Sequence, residues 1–231
     1  MTKRMIDYWV IPPESDAEFV ADMEEVLATY AEPYDPNNPK ICMDEQPFQL
    51  LLETKVPLPA TKEHGQRVDY EYERNGTASI FMFTEPLAGF RQATARERRT
   101  KEDWAFEVAH LLDTRYAACE KVTLISDQLN THTKGAFYVA FEPDVARAYV
   151  ERIHFVHTPK HGSWLNIAEC ELSAMTRQCI AGRRIGDLSE LRSEIEAWST
   201  NTNETQRAVD WQFQIDDARS KLKHLYPKIK T

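Results

Sequence analysis

Two carboxylates between Val122 and Leu172 give the first suggestion of chemistry in this chain. Asp127 closes the apolar run VTLIS, so its side chain projects from the carboxyl edge of a strand, where open α/β sheets gather their ligands. Glu169 stands early in a helix that leaves a loop broken by Pro159 and Gly162, and such loops often carry reactive groups on a rigid frame. A third acid, Asp44, lies inside the apolar, strand-like run KICMDEQPFQLLLE. Burying an unpaired carboxylate is strongly unfavourable, so Asp44 calls for neutralisation, hydrogen bonds or a cation, and the cation fits best. Three hard acidic ligands suit two Mg²⁺ ions, with Mn²⁺ as a substitute; such ions, about 3.5–4 Å apart, stabilise both attacking and leaving oxygens of a phosphoryl transfer. That reaction needs position and charge compensation rather than a nucleophilic side chain.

Taken singly, each acid has a plainer reading. Asp44 suits an edge strand facing solvent, Asp127 suits a turn at a strand end, and Asn166 with Glu169 has the spacing of a capping box. His157 and His161 have the i, i+4 spacing of a zinc site, but Pro159 and Gly162 deny the helix that spacing requires. The segment TPKHGSW reads instead as a loop at a site mouth, with Lys160 and His161 against phosphate and Trp164 either stacking on a base or filling core. His132 and Asn130, just beyond Asp127, either orient a ligand, touch DNA or serve structure alone. No GxxxxGK[ST] or GxGxxG loop is present, so nucleotide hydrolysis has no support.

The elements that must position these residues follow from periodicity. Residues 14–31 pattern as a helix, with Ser15 and Glu18 as a capping box and Phe19, Val20, Met23, Val26, Leu27 and Tyr30 repeating at helical spacing. A sheet begins at ICMDEQPFQLLLE and continues through VDYEYER, an Asn75-Gly76 hairpin signal and TASIFMF, giving three strands in meander order. Thr100 and Asp103 cap a helix to Cys119, the strand before Asp127 follows, and Gly135 to Arg152 reads as one helix. IHFVH is a short strand, and Leu165 to Ile180 is a helix with Ala168, Leu172, Met175 and Cys179 on its apolar face. Asp187 with Glu190, and then Asp216, start two last helices. The expected order βββαβαβα describes an α/β fold: a mixed central sheet, antiparallel meander plus parallel strands, flanked by helices.

At 231 residues and 42% hydrophobic content the chain can bury a full core, and four scattered cysteines point to a reduced, cytoplasmic protein rather than a disulfide framework. The start MTKRMIDYWVIPP breaks at a proline pair before a signal-like apolar run forms. A net charge of −9 is unusual for a DNA-binding protein, but residues 1–35 carry nine acidic and two basic side chains, so the remainder is nearly neutral. Basic clusters lie at Arg91 to Lys101, Arg177 to Arg184 and Lys221 to Lys230, each either a solvated face or a DNA contact.

The motifs CMDEQP, SDQLNTHT, TPKHGSWLNIAECELS and RQCIAGRRI, with IPPESDAEFV ahead of them and VDWQFQIDDARSKLKHLYP behind, resemble the DDE transposases of the bacterial insertion-sequence branch of the Tc/mariner superfamily. The resemblance covers nearly the whole chain. It implies an RNase H-like catalytic domain over residues 36–231 behind an acidic connector helix in residues 1–35. It places Asp44, Asp127 and Glu169 on the family's three metal-binding catalytic acids, with Glu45, Asn130, His132 and Asn166 supporting them, and Lys160, His161, Trp164, Arg177, Arg183 and Arg184 toward DNA. Gln128 departs from the asparagine that usually follows the second aspartate. The expected activity is metal-dependent cleavage at insertion-sequence ends and strand transfer into a TA dinucleotide, by a homo-oligomer, in a bacterial cytoplasm. Family members carry helix-turn-helix modules ahead of the connector, so a chain starting at Met1 is expected to be a fragment or second reading frame with weak, salt-sensitive DNA contact. A catalytically inactive DNA-binding or dimerising remnant is the alternative of a different class. A carboxylate-pair glycosidase needs no third acid.

Overall fold

The computed structural model describes residues 11–205 and 207–228. The run at positions 1–10, and Lys230 of the third basic cluster, lie outside them. One five-stranded sheet forms the middle layer, in the order β3-β2-β1-β4-β5. Its strands are β1 (Lys40–Glu53), β2 (Tyr72–Glu85), β3 (Phe90–Arg96), β4 (Val122–Ser126) and β5 (Ile153–His157). The first three pair antiparallel, whereas β1 with β4 and β4 with β5 are parallel.

Alternation along the strands divides the core into two. On β2, Ala78, Ile80 and Met82 face one side while Phe81 and Phe83 face the other; on β1, Cys42 opposes Ile41 and Met43. The first side is covered by α1 (Ala17–Ala31), α5 (Ile167–Met175), α6 (Leu188–Glu204) and α7 (Ile215–Lys221). The second is covered by α2 (Lys101–Asp113), α3 (Lys134–Ala140) and α4 (Pro143–Glu151), around the buried rings of Trp104 and Phe137. The acidic helix α1 is an integral part of the first core: Phe19, Met23, Val26, Leu27 and Tyr30 are buried in it, and the Tyr30 hydroxyl donates to the Leu165 carbonyl at 2.8 Å. Among the described residues no helix is long and apolar enough to cross a membrane.

Several local expectations change. Asp16, not Ser15, caps α1, its Oδ1 accepting from the Phe19 amide. Asn75-Gly76 does not turn a hairpin: β2 runs straight through it, and Gly76, at φ +85°, sits opposite the register shift between Gln49 and Leu51. The left-handed conformation that glycine supplies is spent on a bulge instead of a turn. The third meander strand is therefore β3, made from the start of the basic cluster. The helix expected from Gly135 to Arg152 breaks at Glu142, because Pro143 excludes the helical conformation for the residue before it and starts α4 in its own first turn. Helix α2 stops at Asp113, and the helix expected to reach Ile180 ends its α-helical part at Met175 and closes in a π-helical turn over Thr176–Ile180.

The outer edge of β3 is not bare. Asn203 of α6 accepts from the Arg91 amide at 2.8 Å and donates to the Arg91 carbonyl at 2.7 Å. The Ser199 hydroxyl accepts from the Ala93 amide, and the Arg192 guanidinium donates to the Ala95 carbonyl. Every second residue of the edge thus finds a side-chain partner on one helix.

Candidate active site

Strands β1 and β4 run side by side only from Lys40 to Cys42, where Cys42 lies opposite Ile125. Two residues further along the chain stand Asp44, on the face of β1 that Cys42 shares with α5, and Asp127, just past the end of β4. Beyond this point β1 keeps its β2 partner but loses β4, so the two acids flank a crevice where neighbouring strands part. Helix α5 closes that crevice. Its cap, Asn166, accepts from the Ala168 amide through Oδ1, donates to the Met43 carbonyl at 2.9 Å and approaches Asp44 Oδ2 at 3.4 Å through Nδ2. The helix start is therefore held by Asn166, and the Glu169 carboxylate one turn later is left exposed.

The electrostatics are those of an acid cluster. Burial first, and then the charges of Asp127, Glu169 and Glu45, push the Asp44 carboxyl up to about 7, against a hydrogen bond from the Glu45 amide that lowers it. On the opposite face of β1 the Glu45 side chain is buried against His132, Oε2 to Nε2 at 2.8 Å. The same imidazole brings Nδ1 within 2.6 Å of Asp127 Oδ1. That second approach is a charge contact rather than an aligned hydrogen bond, since Nδ1 and Glu45 Oε1 both lack an aligned partner among the described residues. Burial would lower the His132 pKa, but Asp127 and Glu45 outweigh it and raise it to about 9. His132 stacks on Trp104, so the packed second core fixes its ring.

Three hard carboxylates around one crevice, whose like charges raise the Asp44 pKa, fit divalent cations by chemistry. Among the described residues no group of three acidic, histidine or cysteine side chains is drawn tightly enough to hold an ion as it stands. The acids share one crevice without forming a closed ligand cage.

Beside Asp127 a cavity of about 590 Å³ is lined by Gln128, Leu129, Lys160, His161 and Gly162. Its loop is tightly folded: a Cβ on Gly162 would come 2.5 Å from Pro159, and His161 adopts φ +65°. Lys160 and His161 are exposed at this mouth. Trp164 is half-buried and meets Phe213 edge-on, which favours packing over stacking on a base. Asn130 is exposed in the turn after Asp127, and the Gln128 amide reaches back to Asp22 of α1 at 2.6 Å. The remaining expected DNA contacts are engaged elsewhere. Arg183 forks onto Glu194, Arg184 binds Glu53 and the carbonyls of Asp69 and Glu71, and Arg177 donates to Ser173. Arg91 and Arg96 of the first basic cluster are tied to Glu171 and Glu107.

The buried partnership of Arg91 and Glu171 escaped sequence reasoning. Its signal was present: Glu171 falls between Ala168, Leu172 and Met175 on the apolar face of α5, where a charge requires a partner.

A family model described as DDE superfamily endonuclease matches residues 39–192, which include all three acids. The chain belongs to the DDE superfamily endonucleases. Among solved structures, this DDE chain is similar to a pre-cleavage Mos1 transpososome, with a TM-score of 0.57 at 10% identity, covering 100% of this chain and 69% of that one. It is also similar to the Mos1 mariner paired end complex with Mn, with a TM-score of 0.55 at 13% identity, covering 90% of this chain and 62% of that one. The Mos1 Strand Transfer Complex gives a TM-score of 0.52 at 12% identity, over 87% of this chain and 59% of that one. The chain thus spans somewhat under two thirds of the length of two of these three. At such identities the likeness is one of fold, and the fold is RNase H-like. No curated protein matches the chain.

Proposed function

We propose that this DDE chain is the catalytic domain of an insertion-sequence transposase, which cleaves strands at the element's ends and joins the freed 3′-hydroxyls to target DNA. The observation that carries the reading is the placement of Asp44 and Asp127 at the parting ends of β1 and β4, with Glu169 on the first turn of the helix that closes the crevice. In this reading Asp44, Asp127 and Glu169 hold two Mg²⁺ ions, which Mn²⁺ replaces. Bound there, the cations supply charge compensation at the scissile phosphate. The chain's own residues supply position. The Glu45 amide and Asn166 orient Asp44, and His132, braced by Glu45, orients Asp127. Lys160 and His161 meet the DNA backbone at the cavity mouth, while Arg183 and Arg184 brace the protein.

The reading includes a TA target, a homo-oligomer, a bacterial cytoplasmic setting, a division into residues 1–35 and 36–231, and a helix-turn-helix segment or partner for recognition of the ends. The similarity to Mos1 paired end and strand transfer complexes supports DNA ends as the substrate class. The test is cleavage of labelled duplex carrying element ends, with Mg²⁺, with Mn²⁺ and in chelator, by this chain alone and joined to a helix-turn-helix segment. Metal-dependent nicking that disappears in Asp127→Asn supports the reading. DNA binding with no cleavage in either arrangement replaces it with that of a non-catalytic remnant.

A further inference from the structure

Glu169 and Glu171 lie on one short helix, two residues and so about 200° apart around its axis. Glu169 is exposed at the crevice, and Glu171 points into the core, 4% exposed. There Arg91 of β3, fully buried, takes both of its oxygens: Nε to Oε2 at 2.9 Å and Nη2 to Oε1 at 2.8 Å. The arginine is itself anchored, since Asn203 of α6 holds both its amide and its carbonyl. Arg207 adds a longer approach to Glu171 at 3.9 Å.

Stability alone does not account for this pair. The loss of hydration on burying two charges is so large that well-packed apolar residues of similar volume are often as stable or more so. A bidentate guanidinium–carboxylate fork contributes direction, which apolar contacts do not. The other core-facing residues of α5, Ile167, Ala168, Leu172 and Met175, are apolar and leave the rotation of the helix weakly specified. A 20° turn of α5 would carry a side-chain tip roughly 6 Å from its axis by about 2 Å, and a misplacement of about 1 Å near a reacting centre can lower a rate about 100-fold.

We infer that Arg91 and Glu171 are positioning residues that set the rotation of α5 and thereby hold Glu169 at the crevice opposite Asp44 and Asp127. This rests on the transposase reading for its consequence in catalysis, but not for its consequence in structure. The pair never touches substrate. It acts through the helix, with Asn166 pinning one end to β1 and the fork fixing the azimuth.

The decisive variant is Arg91→Met with Glu171→Leu, which removes both charges and leaves none stranded. Three measurements on the whole chain separate the roles. The melting temperature in chelator is expected to stay at or above that of wild type. A crystal structure is expected to show α5 rotated, with the Glu169 Cα displaced by about 0.8 Å and its carboxylate by about 2 Å relative to β1. Mn²⁺ titration by calorimetry is expected to show affinity weakened about 10-fold or more, as in Glu169→Gln, with DNA affinity unchanged.

A double variant as stable as wild type, with α5 in place and unchanged Mn²⁺ affinity, overturns the inference and leaves the pair a packing feature. If the double variant melts early, Arg91→Lys, which keeps the charge but loses the bidentate fork, takes its place, and unaltered α5 and Glu169 positions with unchanged Mn²⁺ affinity in that variant overturn the inference equally. If wild type binds no Mn²⁺, the transposase reading fails separately, and the position of α5 in the crystal still decides the clamp.

Discussion

Two groups of charge sit at opposite faces of α5, and they are built on opposite terms. The Arg91–Glu171 pair is balanced, bidentate and sealed, with neither side chain more than 4% exposed. In the cluster of Asp44, Glu45, Asp127 and Glu169, four carboxylates crowd together and two of them share the imidazole of His132. Folding alone has no use for the second arrangement, since each uncompensated carboxylate makes the native state less stable than a neutral residue would. In the transposase reading that compensation is supplied by the bound cations.

The largest expected effect tests that contrast directly. Asp44→Asn or Asp127→Asn should lower metal-dependent cleavage by about 1,000-fold or more, in the range seen when a catalytic group acting as part of a unit is removed. The Asp44 variant should meanwhile melt no earlier than wild type in chelator. Paired cleavage and melting measurements decide it, and a marked drop in melting temperature would make Asp44 a structural acid like Glu171. At the balanced pair the order reverses: Glu171→Gln strands a buried guanidinium and should destabilise the fold by roughly 3–5 kcal/mol in denaturant titration.

His132→Gln stands between these extremes. Loss of the group that orients Asp127 should reduce cleavage roughly 10–100-fold, as for other partners of metal-ligating side chains, and should raise the cation concentration needed for half-maximal rate. A rate indistinguishable from wild type would remove His132 from the site.

The pH dependence of the metal-free protein has a definite sign. Asp44 holds its proton more tightly folded than unfolded, so its effect is a loss of stability that begins above its ordinary 3.8 and is complete above about 7. His132 contributes stability that is fully present below its ordinary 6.5 and is lost as pH rises through about 9. Both push the same way. Melting temperature in chelator should fall from pH 5 to pH 9, with the lower half of that fall flattened in Asp44→Asn; a rise over this range would contradict the charge balance described. The smallest effect belongs to Gln128→Asn, which gives up the bond to Asp22 and should change stability by no more than about 0.5 kcal/mol.

Much of this was legible in the residues. The strand ending at Asp127, the cap at Thr100 with Asp103, the short strand IHFVH and the order of elements all follow from periods and caps that depend on neighbours in sequence. What escaped depends on neighbours in space. Strand β3 was hidden because its arginines read as solvent-facing charge, whereas Arg91 is buried by a glutamate far along the chain. Asn75-Gly76 carries the same local conformation in a bulge as in a hairpin, and only the register across β1 distinguishes them. The three acids were readable as residues, and their crevice was not, because it exists only where β4 stops short of β1.

The side chains that α6 lays along β3 have a consequence for assembly. An exposed edge strand offers a template on which another chain can extend the sheet, by design or by accident. Here Asn203, Ser199 and Arg192 occupy the amide and carbonyl positions that an incoming strand would need. A second copy of this protein is therefore barred from extending the sheet through β3.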